Sequence, residues 1–221
     1  MNTYNEICES AGEDGFAVLR AFHPGPQDAA PFGARTLFLI GNVGPAMWQR
    51  FAAEQNPARD TLDDWTRQVL QKLASSLGAH AVFPFDTPPL PFQRWARAAG
   101  AGFISPLGLN VHPEFGLWSA YRAALCFTSE ISLPAANQSA HPCEGCPDKP
   151  CLSACPVSAF DGQNYDVEAC AAHLSTSSGD DCNNGGCLAR LACPLGQDFV
   201  YKSAQMQFHM RAFLKARRPH L

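Results

Sequence analysis

The sequence contains no run of 18 or more apolar residues, so it offers no transmembrane helix. Its first residues, MNTYNE, lack a basic segment followed by an apolar stretch, so we expect no secretory signal peptide. Charged residues make up only 16%, and 16 Lys and Arg against 20 Asp and Glu give a net charge of −4, which argues against a broad nucleic-acid surface. Hydrophobic residues, at 46%, exclude a disordered chain. We expect a globular cytoplasmic protein that does not associate with a membrane.

Cysteine, in contrast, is abundant: eight of the 10 cysteines fall in one stretch of the chain. In a reducing compartment, that density favours metal ions or iron–sulfur clusters over disulfides. The eight form two groups, and the last cysteine of each group is followed directly by a proline. The first group contains Cys143, Cys146, Cys151 and Cys155, and the second contains Cys170, Cys182, Cys187 and Cys193.

The spacing of these cysteines is typical of ligands to [4Fe–4S] clusters. In two-cluster ferredoxins, the cysteine that precedes the proline binds the other cluster. This crossing rule assigns one cluster to Cys143, Cys146, Cys151 and Cys193. It assigns the other cluster to Cys155, Cys170, Cys182 and Cys187, and no cysteine of the eight is left over. Two structural zinc sites with four thiolates each are the alternative, although the two Cys-Pro pairs favour iron–sulfur chemistry.

The distribution of cysteines predicts two domains, residues 1–138 and residues 139–221. In the first domain, apolar runs over 16–22, 36–41, 79–85 and 117–131 predict strands, and helical periodicity predicts helices over 44–55, 61–78 and 93–99. A further helix is predicted over 198–217. The prediction is an α+β domain followed by a small two-cluster ferredoxin-like module with a C-terminal helix.

Two clusters close enough for electron tunnelling would form a wire, which implies a redox site at one end. A plain electron carrier would not need the first domain, so we expect a second cofactor there. The segment 86–118 is rich in glycine and proline, and glycines let the backbone approach a large flat ligand closely. Asp86 follows an apolar strand, where desolvation would raise its pKa and suit it to donate a proton. A loop or helix-capping carboxylate is the alternative.

This segment resembles the epoxyqueuosine reductase family, which consists of cobalamin-dependent iron–sulfur enzymes. The resemblance rests on Asp86-Thr-Pro-Pro, on the glycine turn 99–103 and on the cysteines. It implies that Asp86 is the catalytic proton donor and that the eight cysteines bind the clusters. It also implies that Gly100, Gly102 and Phe103 contact the cofactor.

A second resemblance is to the cobalamin-processing family impaired in cblC-type methylmalonic aciduria. It rests on residues 33–40, 45–48 and 112–118. Both families share a flavin-reductase (nitroreductase)-like α+β fold and hold cobalamin with its nucleotide base detached, so the two resemblances imply base-off cobalamin or another corrinoid. The further candidate cofactor contacts are Gly108, His112, Phe115, Gly116 and Trp118. We expect His112 to line the pocket or form hydrogen bonds rather than ligate cobalt, and core packing is the alternative for the aromatic residues.

The expected function is that of an iron–sulfur oxidoreductase. An external low-potential donor would send electrons through the clusters to the corrinoid, for reductive chemistry on a small molecule. The sequence ends at Leu221 without the tRNA-binding helical-repeat domain of the reductase family, so a tRNA partner is not expected. One alternative is a cobalamin-handling protein that reduces cobalamin or removes its upper ligand. Another is a ferredoxin-type carrier or an iron–sulfur flavoprotein, in which flavin replaces the corrinoid.

Overall fold

The computed structural model describes residues 3–55, 61–135 and 140–217. These residues form two compact units. The sheet unit comprises the described residues up to Gly102 together with residues 119–135, and the cysteine unit comprises 103–118 together with 140–217. Residues 103–118 thus lie within the predicted first domain by position but pack in the cysteine unit. In the described part of the chain, no helix combines the length and the hydrophobicity needed to cross a bilayer.

The sheet unit is built on a four-stranded sheet whose strands are β1 (Ala17–Phe22), β2 (Thr36–Val43), β3 (His80–Val82) and β6 (Ser119–Phe127). The sheet is antiparallel, with the strand order β1-β2-β6-β3. Its helices are α1 (Tyr4–Glu13), α2 (Ala46–Glu54), α3 (Leu62–Ser76) and α4 (Phe92–Ala98). The predicted strands and helices of this region are therefore present. Most are shorter than predicted, whereas β2 continues past the predicted end to Val43 and α4 begins one residue earlier, at Phe92. The antiparallel sheet with helices confirms the α+β class.

The central strand β2 explains why the sheet is covered on both faces. Leu37, Phe38, Leu39 and Ile40 are all fully buried, as expected for a continuous apolar run. On one face, Leu37 and Leu39 pack in a cluster with Trp95 of α4. On the other face, the ring of Phe38 lies 5.7 Å from that of Tyr4 on α1. Successive side chains point to opposite faces of a strand, so this run requires helices on both sides.

Helix α3 begins where the sequence predicts. The Thr61 hydroxyl accepts a hydrogen bond from the Asp64 N–H at 3.1 Å, which makes Thr61 the N-cap. Helix α1 was not predicted, although its start carries a complete capping box between Thr3 and Glu6.

The cysteine unit consists of short elements. Strands β4 (Phe103–Ile104) and β5 (Asn110–Val111) pair as an antiparallel hairpin. The helices are α5 (Pro150–Ser153), α6 (Val167–Leu174), α7 (Asp180–Gly185), α8 (Leu188–Leu191) and α9 (Ser203–Arg217). The hairpin and the cysteines share one core: Leu107, Val111 and Leu117 pack with Cys151, Phe160 and Ala189. The predicted C-terminal helix is thus present as α9, preceded by a short 3-10 helix (Gln197–Phe199).

Candidate functional site

Four of the predicted ligand cysteines line one small cavity in the cysteine unit. They are Cys143, Cys146, Cys151 and Cys193, and the other walls are mainly prolines and aliphatic side chains. Burial raises the pKa of the Cys143 and Cys151 thiols, and the neighbouring thiols of the same four raise the pKa further because adjacent thiolates repel one another. The charge of Lys149, which also lines the cavity, acts in the opposite direction on Cys143. These four cysteines are the set that the crossing rule assigns to one cluster.

The other four cysteines influence one another in the same way. Burial raises the pKa of Cys170, Cys182 and Cys187, and the charge of the neighbouring Cys155 thiolate raises each of these pKa values further. Every cysteine that acts on these three belongs to the same four. They are the set that the crossing rule assigns to the second cluster.

Backbone N–H groups point at the sulfur atoms of this second set. The Ala159 N–H donates to Cys155 Sγ at 3.4 Å. The N–H groups of Ala189 and Arg190 hydrogen-bond to the Cys187 sulfur and partly offset the effect of burial on its pKa. Such donors stabilise thiolates, and they are one of the means by which proteins set the properties of a sulfur-bound cluster.

Across residues 3–55, 61–135 and 140–217, no three or more His, Cys, Asp or Glu side chains are arranged as ligands around a single metal ion. What relates the cysteines of each set is therefore their shared surroundings and their mutual repulsion. The binding of clusters by these residues is a proposal.

His112 is buried, with 4% of its surface exposed. Its Nδ1 accepts hydrogen bonds from the N–H groups of Glu114 at 3.1 Å and Phe115 at 3.3 Å. Its ring stacks on that of Phe115, with 4.3 Å between centroids. Because Nδ1 is an acceptor, a neutral His112 carries its proton on Nε2. In this position, the imidazole stabilises the turn that follows β5.

Trp118 is also buried, at 1% exposed. The guanidinium of Arg190 lies 4.5 Å from the ring of Trp118 and 4.5 Å from that of Tyr201. Arg190 also donates to the carbonyl of Leu117 from Nε at 3.0 Å and from Nη2. One cation therefore holds the end of the hairpin segment (residues 103–118) against the rest of the cysteine unit, and the Trp118 ring is part of that packing.

Gly116 and Gly108, both predicted to contact the cofactor, differ in their surroundings. Both have positive φ, at +57° and +71°. A Cβ on Gly116 would lie 2.2 Å from the Leu195 carbonyl oxygen, so two backbone segments touch there. A Cβ on Gly108 would meet no atom within 4 Å, and Leu109 and Ile104 beside it are exposed hydrophobic residues. Gly116 serves packing, whereas Gly108 lies on an open apolar hairpin tip.

Asp86, Gly100 and Gly102 belong to the sheet unit. Residues 103–118 and the eight predicted ligand cysteines belong to the cysteine unit. The Asp86 carboxylate is partly buried and both of its oxygens are engaged. Oδ1 accepts a hydrogen bond from Arg67 Nη2 at 2.7 Å, and Oδ2 accepts one from the Phe83 N–H at 2.7 Å. The guanidinium of Arg67 in turn lies over the rings of Phe83 and Phe85, at 4.5 Å and 4.9 Å.

The glycine turn follows helix α4 directly. Gly100 has a φ of +66°, which an L side chain rarely adopts, and Gly102 is buried. The Ala101 N–H donates to Ala96 O at 2.8 Å, and the Tyr121 hydroxyl donates to Ala101 O at 3.2 Å. The turn is thus fixed to both the helix and the sheet.

Three residues of these sites were missed by sequence reasoning. Arg67 lies 19 positions before Asp86, and nothing local connects the two. Arg190 carried a weak signal, since it lies midway between Cys187 and Cys193. Tyr165, whose hydroxyl hydrogen-bonds to the Cys170 thiol, carried none.

No protein-family model and no curated protein sequence matches the chain. Solved structures do match it. Epoxyqueuosine reductase from Streptococcus thermophilus is 18% identical with a TM-score of 0.53, over 91% of this chain and 68% of that one. An epoxyqueuosine reductase with an epoxyqueuosine-modified tRNA-Tyr stem loop is 18% identical with a TM-score of 0.52, over 90% of this chain and 66% of that one.

A third match is the B12-trafficking protein CblC of C. elegans, a homologue of human MMACHC. It is 15% identical with a TM-score of 0.54, over 97% of this chain and 95% of that one. At these identities, the matches establish a shared fold. The structural likeness to both families that the sequence predicts is therefore confirmed for the fold, and the chain spans about two thirds of the reductase with the tRNA stem loop.

Proposed function

We propose that this protein is an iron–sulfur oxidoreductase that passes electrons through two [4Fe–4S] clusters to a base-off corrinoid, with Asp86 as the proton donor. The observation that carries the proposal is the grouping of the eight cysteines into two sets of four, which are the sets that the crossing rule predicts. The fold shared with epoxyqueuosine reductase and with CblC supports the corrinoid.

The residues of the cysteine unit fit iron–sulfur clusters. Cysteine thiolates are the usual ligands, and the N–H groups directed at Cys155 and Cys187 are hydrogen-bond donors of the kind that set cluster potentials. A [4Fe–4S] cluster supplies one-electron transfer at low potential. The walls around the first set are mainly prolines and aliphatic side chains, and the apolar surroundings of a cluster are one of the features that set its potential.

The chain also offers surfaces that suit a corrinoid. Ile104 and Leu109 are 41% and 44% exposed at the hairpin tip, where Gly108 leaves the backbone open. Exposed apolar side chains beside an uncovered backbone suit a large flat macrocycle. When bound, a corrinoid supplies a cobalt centre that accepts electrons and acts as a strong reductant.

For Asp86 to donate a proton, its Oδ1 must be protonated and must leave the Arg67 guanidinium. Arg67 is held by the rings of Phe83 and Phe85, so the carboxyl group, rather than the arginine, has to move. Asp86 lies in a loop after β3, where such a change of side-chain position requires no rearrangement of the sheet.

The Arg67–Asp86 ion pair also favours a second candidate function. A cobalamin-handling protein that reduces cobalamin or removes its upper ligand would need no proton from Asp86. A carboxylate engaged at both oxygens fits that role, and the chain covers 95% of the B12-trafficking protein CblC.

The first experiment is electron paramagnetic resonance of anaerobically purified protein mixed with cob(II)alamin, before and after addition of dithionite. The proposal expects loss of the axial nitrogen splitting on binding, and then reduced-cluster signals with disappearance of the cobalt signal. Iron and acid-labile sulfide in equal amounts support clusters, whereas bound zinc without sulfide contradicts them. A cobalt signal identical to that of the free cofactor contradicts the corrinoid and favours a ferredoxin-type carrier or, in a yellow protein, a flavoprotein.

A second experiment separates the two candidate functions through Asp86→Asn. Removal of the upper ligand from cyanocobalamin should be unchanged in this variant if the protein handles cobalamin. Reduction of a small epoxide, such as the free epoxyqueuosine nucleoside, should fall by roughly a hundredfold if Asp86 is the proton donor. Asp63→Asn is the control, since Asp63 is exposed on α3 and the charge change is the same.

A further inference from the structure

The sheet unit contains a cavity of about 430 Å³ that includes neither Asp86 nor the glycine turn. The residues that matter for its chemistry are Tyr4, Arg20, Phe22 and His23, and the end of α4 contributes Ala99. No Asp or Glu occurs among the described residues that line it. The cavity is large enough for a small organic molecule and carries one unopposed cation.

A β-bulge aims Arg20 into this cavity. In the pairing of β1 with β2, Val18 lies opposite Ile40 and Arg20 lies opposite Leu39, so Leu19 is the extra residue. Leu19 is buried, and its side chain covers the backbone of Gly41, where a Cβ would come within 2.5 Å of it. Bulges re-aim side chains and are frequent beside binding sites. The extra residue, Leu19, is thus buried, and its insertion directs Arg20 to the cavity.

The electrostatics of the cavity favour an anion. Arg20 Nε is buried and has no hydrogen-bond partner among the described residues. A buried cationic donor without a partner is costly, and an anionic ligand would satisfy it. His23 Nε2 is already hydrogen-bonded to Ile131 O at 2.9 Å. The N–H groups of Ala99 and Gly100 hydrogen-bond to carbonyls at the end of α4, which reduces the negative charge exposed there.

We propose that this cavity binds the phosphate group of a nucleotide, with Arg20 as the residue that contacts the phosphate. The guanidinium matches the geometry of phosphate oxygens, and the Tyr4 and Phe22 rings supply walls for a flat base. The cavity is wider than a bare anion requires, so the ligand carries more than its phosphate. The phosphate belongs either to a free nucleotide or to the nucleotide arm of a base-off corrinoid.

The first test uses adenosine monophosphate and adenosine as probes in isothermal titration calorimetry with the whole chain. The monophosphate should bind the unmodified protein, and Arg20→Gln should weaken its binding roughly tenfold or more, the effect of one charge-assisted hydrogen bond. Adenosine should bind more weakly and should not respond to the substitution. Arg97→Gln is the matched control, because it removes the same charge from an exposed position on α4.

The second test compares cobalamin with cobinamide, which lacks the nucleotide. If the site serves the corrinoid's own arm, Arg20→Gln should weaken cobalamin binding roughly tenfold and leave cobinamide binding unchanged. Arg20→Lys keeps the charge, so its affinity for cobalamin should lie between those of the unmodified protein and Arg20→Gln. This variant also controls for misfolding. The comparison of cobalamin with cobinamide rests on the proposed function, whereas the titration with adenosine monophosphate does not. The inference is overturned if neither monophosphate nor cobalamin binding depends on Arg20; failure of cobinamide to bind any variant contradicts the proposed corrinoid function alone.

Discussion

The guanidinium of Arg67 holds the carboxylate of Asp86 through a 2.7 Å contact across 19 residues of sequence, from α3 to the loop after β3. The side chains are 36% and 26% exposed, so water screens the pair. We expect Asp86→Asn and Arg67→Gln each to lower the free energy of unfolding only slightly. In a double-mutant cycle, the coupling energy between them should be below about 1 kcal/mol. Urea unfolding of the four proteins measures this.

That result decides how the functional variants are understood. If Asp86→Asn itself costs little free energy of unfolding, loss of activity in this variant is a chemical effect and not a folding defect. A coupling of several kcal/mol would contradict the expectation and would make the ion pair a structural element of the sheet unit.

The two sets of cysteines predict separate losses of iron. Cys146→Ser removes a ligand from the first set and Cys182→Ser removes one from the second, so each variant should retain about half of the iron of the unmodified protein, as each cluster is held by four thiolates. Iron and sulfide analysis after anaerobic reconstitution gives the amounts, and electron paramagnetic resonance should show one cluster signal missing in each.

Cys8→Ser is the control for these variants, because Cys8 lies on α1 in the sheet unit. It should keep all of the iron. A complete loss of iron from either ligand variant would mean that the two clusters depend on each other for assembly, and equal retention in all three would remove the basis for cluster binding by these cysteines.

The crossing rule uses only the order of the cysteines along the chain, so the two sets of four can be assigned from the sequence alone; their binding of clusters stays a prediction. Helix α3 was predictable for a similar reason: Thr61 caps it and apolar residues recur on one face. Both signals are local, because they depend on residues close together in sequence and not on contacts with distant parts of the chain.

The placement of residues 103–118 was not predictable, because its cause lies far away in sequence. The backbone of Gly116 touches that of Leu195, and the Arg190 side chain fixes the Leu117 carbonyl. The sequence pattern of residues 103–118 therefore gives no indication of these contacts. The ion pair of Arg67 and Asp86 was not predictable for the same reason. Strand β3 is shorter than predicted because only His80–Val82 pair with β6.

Gly116 and Gly108 form a matched pair for a stability test. Gly116→Ala places a methyl group against the Leu195 carbonyl at a positive φ, so it should cost more than about 2 kcal/mol of unfolding free energy. Gly108→Ala meets no atom and should cost about 1 kcal/mol, the penalty of the left-handed conformation alone. Urea denaturation followed by circular dichroism compares them, and equal costs would show that the contact at Gly116 yields without strain.

Arg190 should stabilise the cysteine unit through its planar guanidinium and not through charge alone. Arg190→Lys keeps the charge but cannot face both the Trp118 and Tyr201 rings while donating twice to Leu117 O, so we expect a loss of about 1–2 kcal/mol. Arg190→Gln should lose more, about 2–4 kcal/mol, because a buried carbonyl and two ring faces lose their cation. Urea unfolding followed by circular dichroism measures the loss of stability in both variants.

The control for these two variants is Arg211→Gln, which removes an exposed charge from α9 and should leave stability within about 0.5 kcal/mol of the unmodified protein. Iron content adds an independent readout, since the Arg190 N–H hydrogen-bonds to the Cys187 sulfur and a displaced α8 would withdraw that donor. Arg190→Lys with full stability and full iron would contradict this role, because it would show that any cation in the stack holds the hairpin segment equally well.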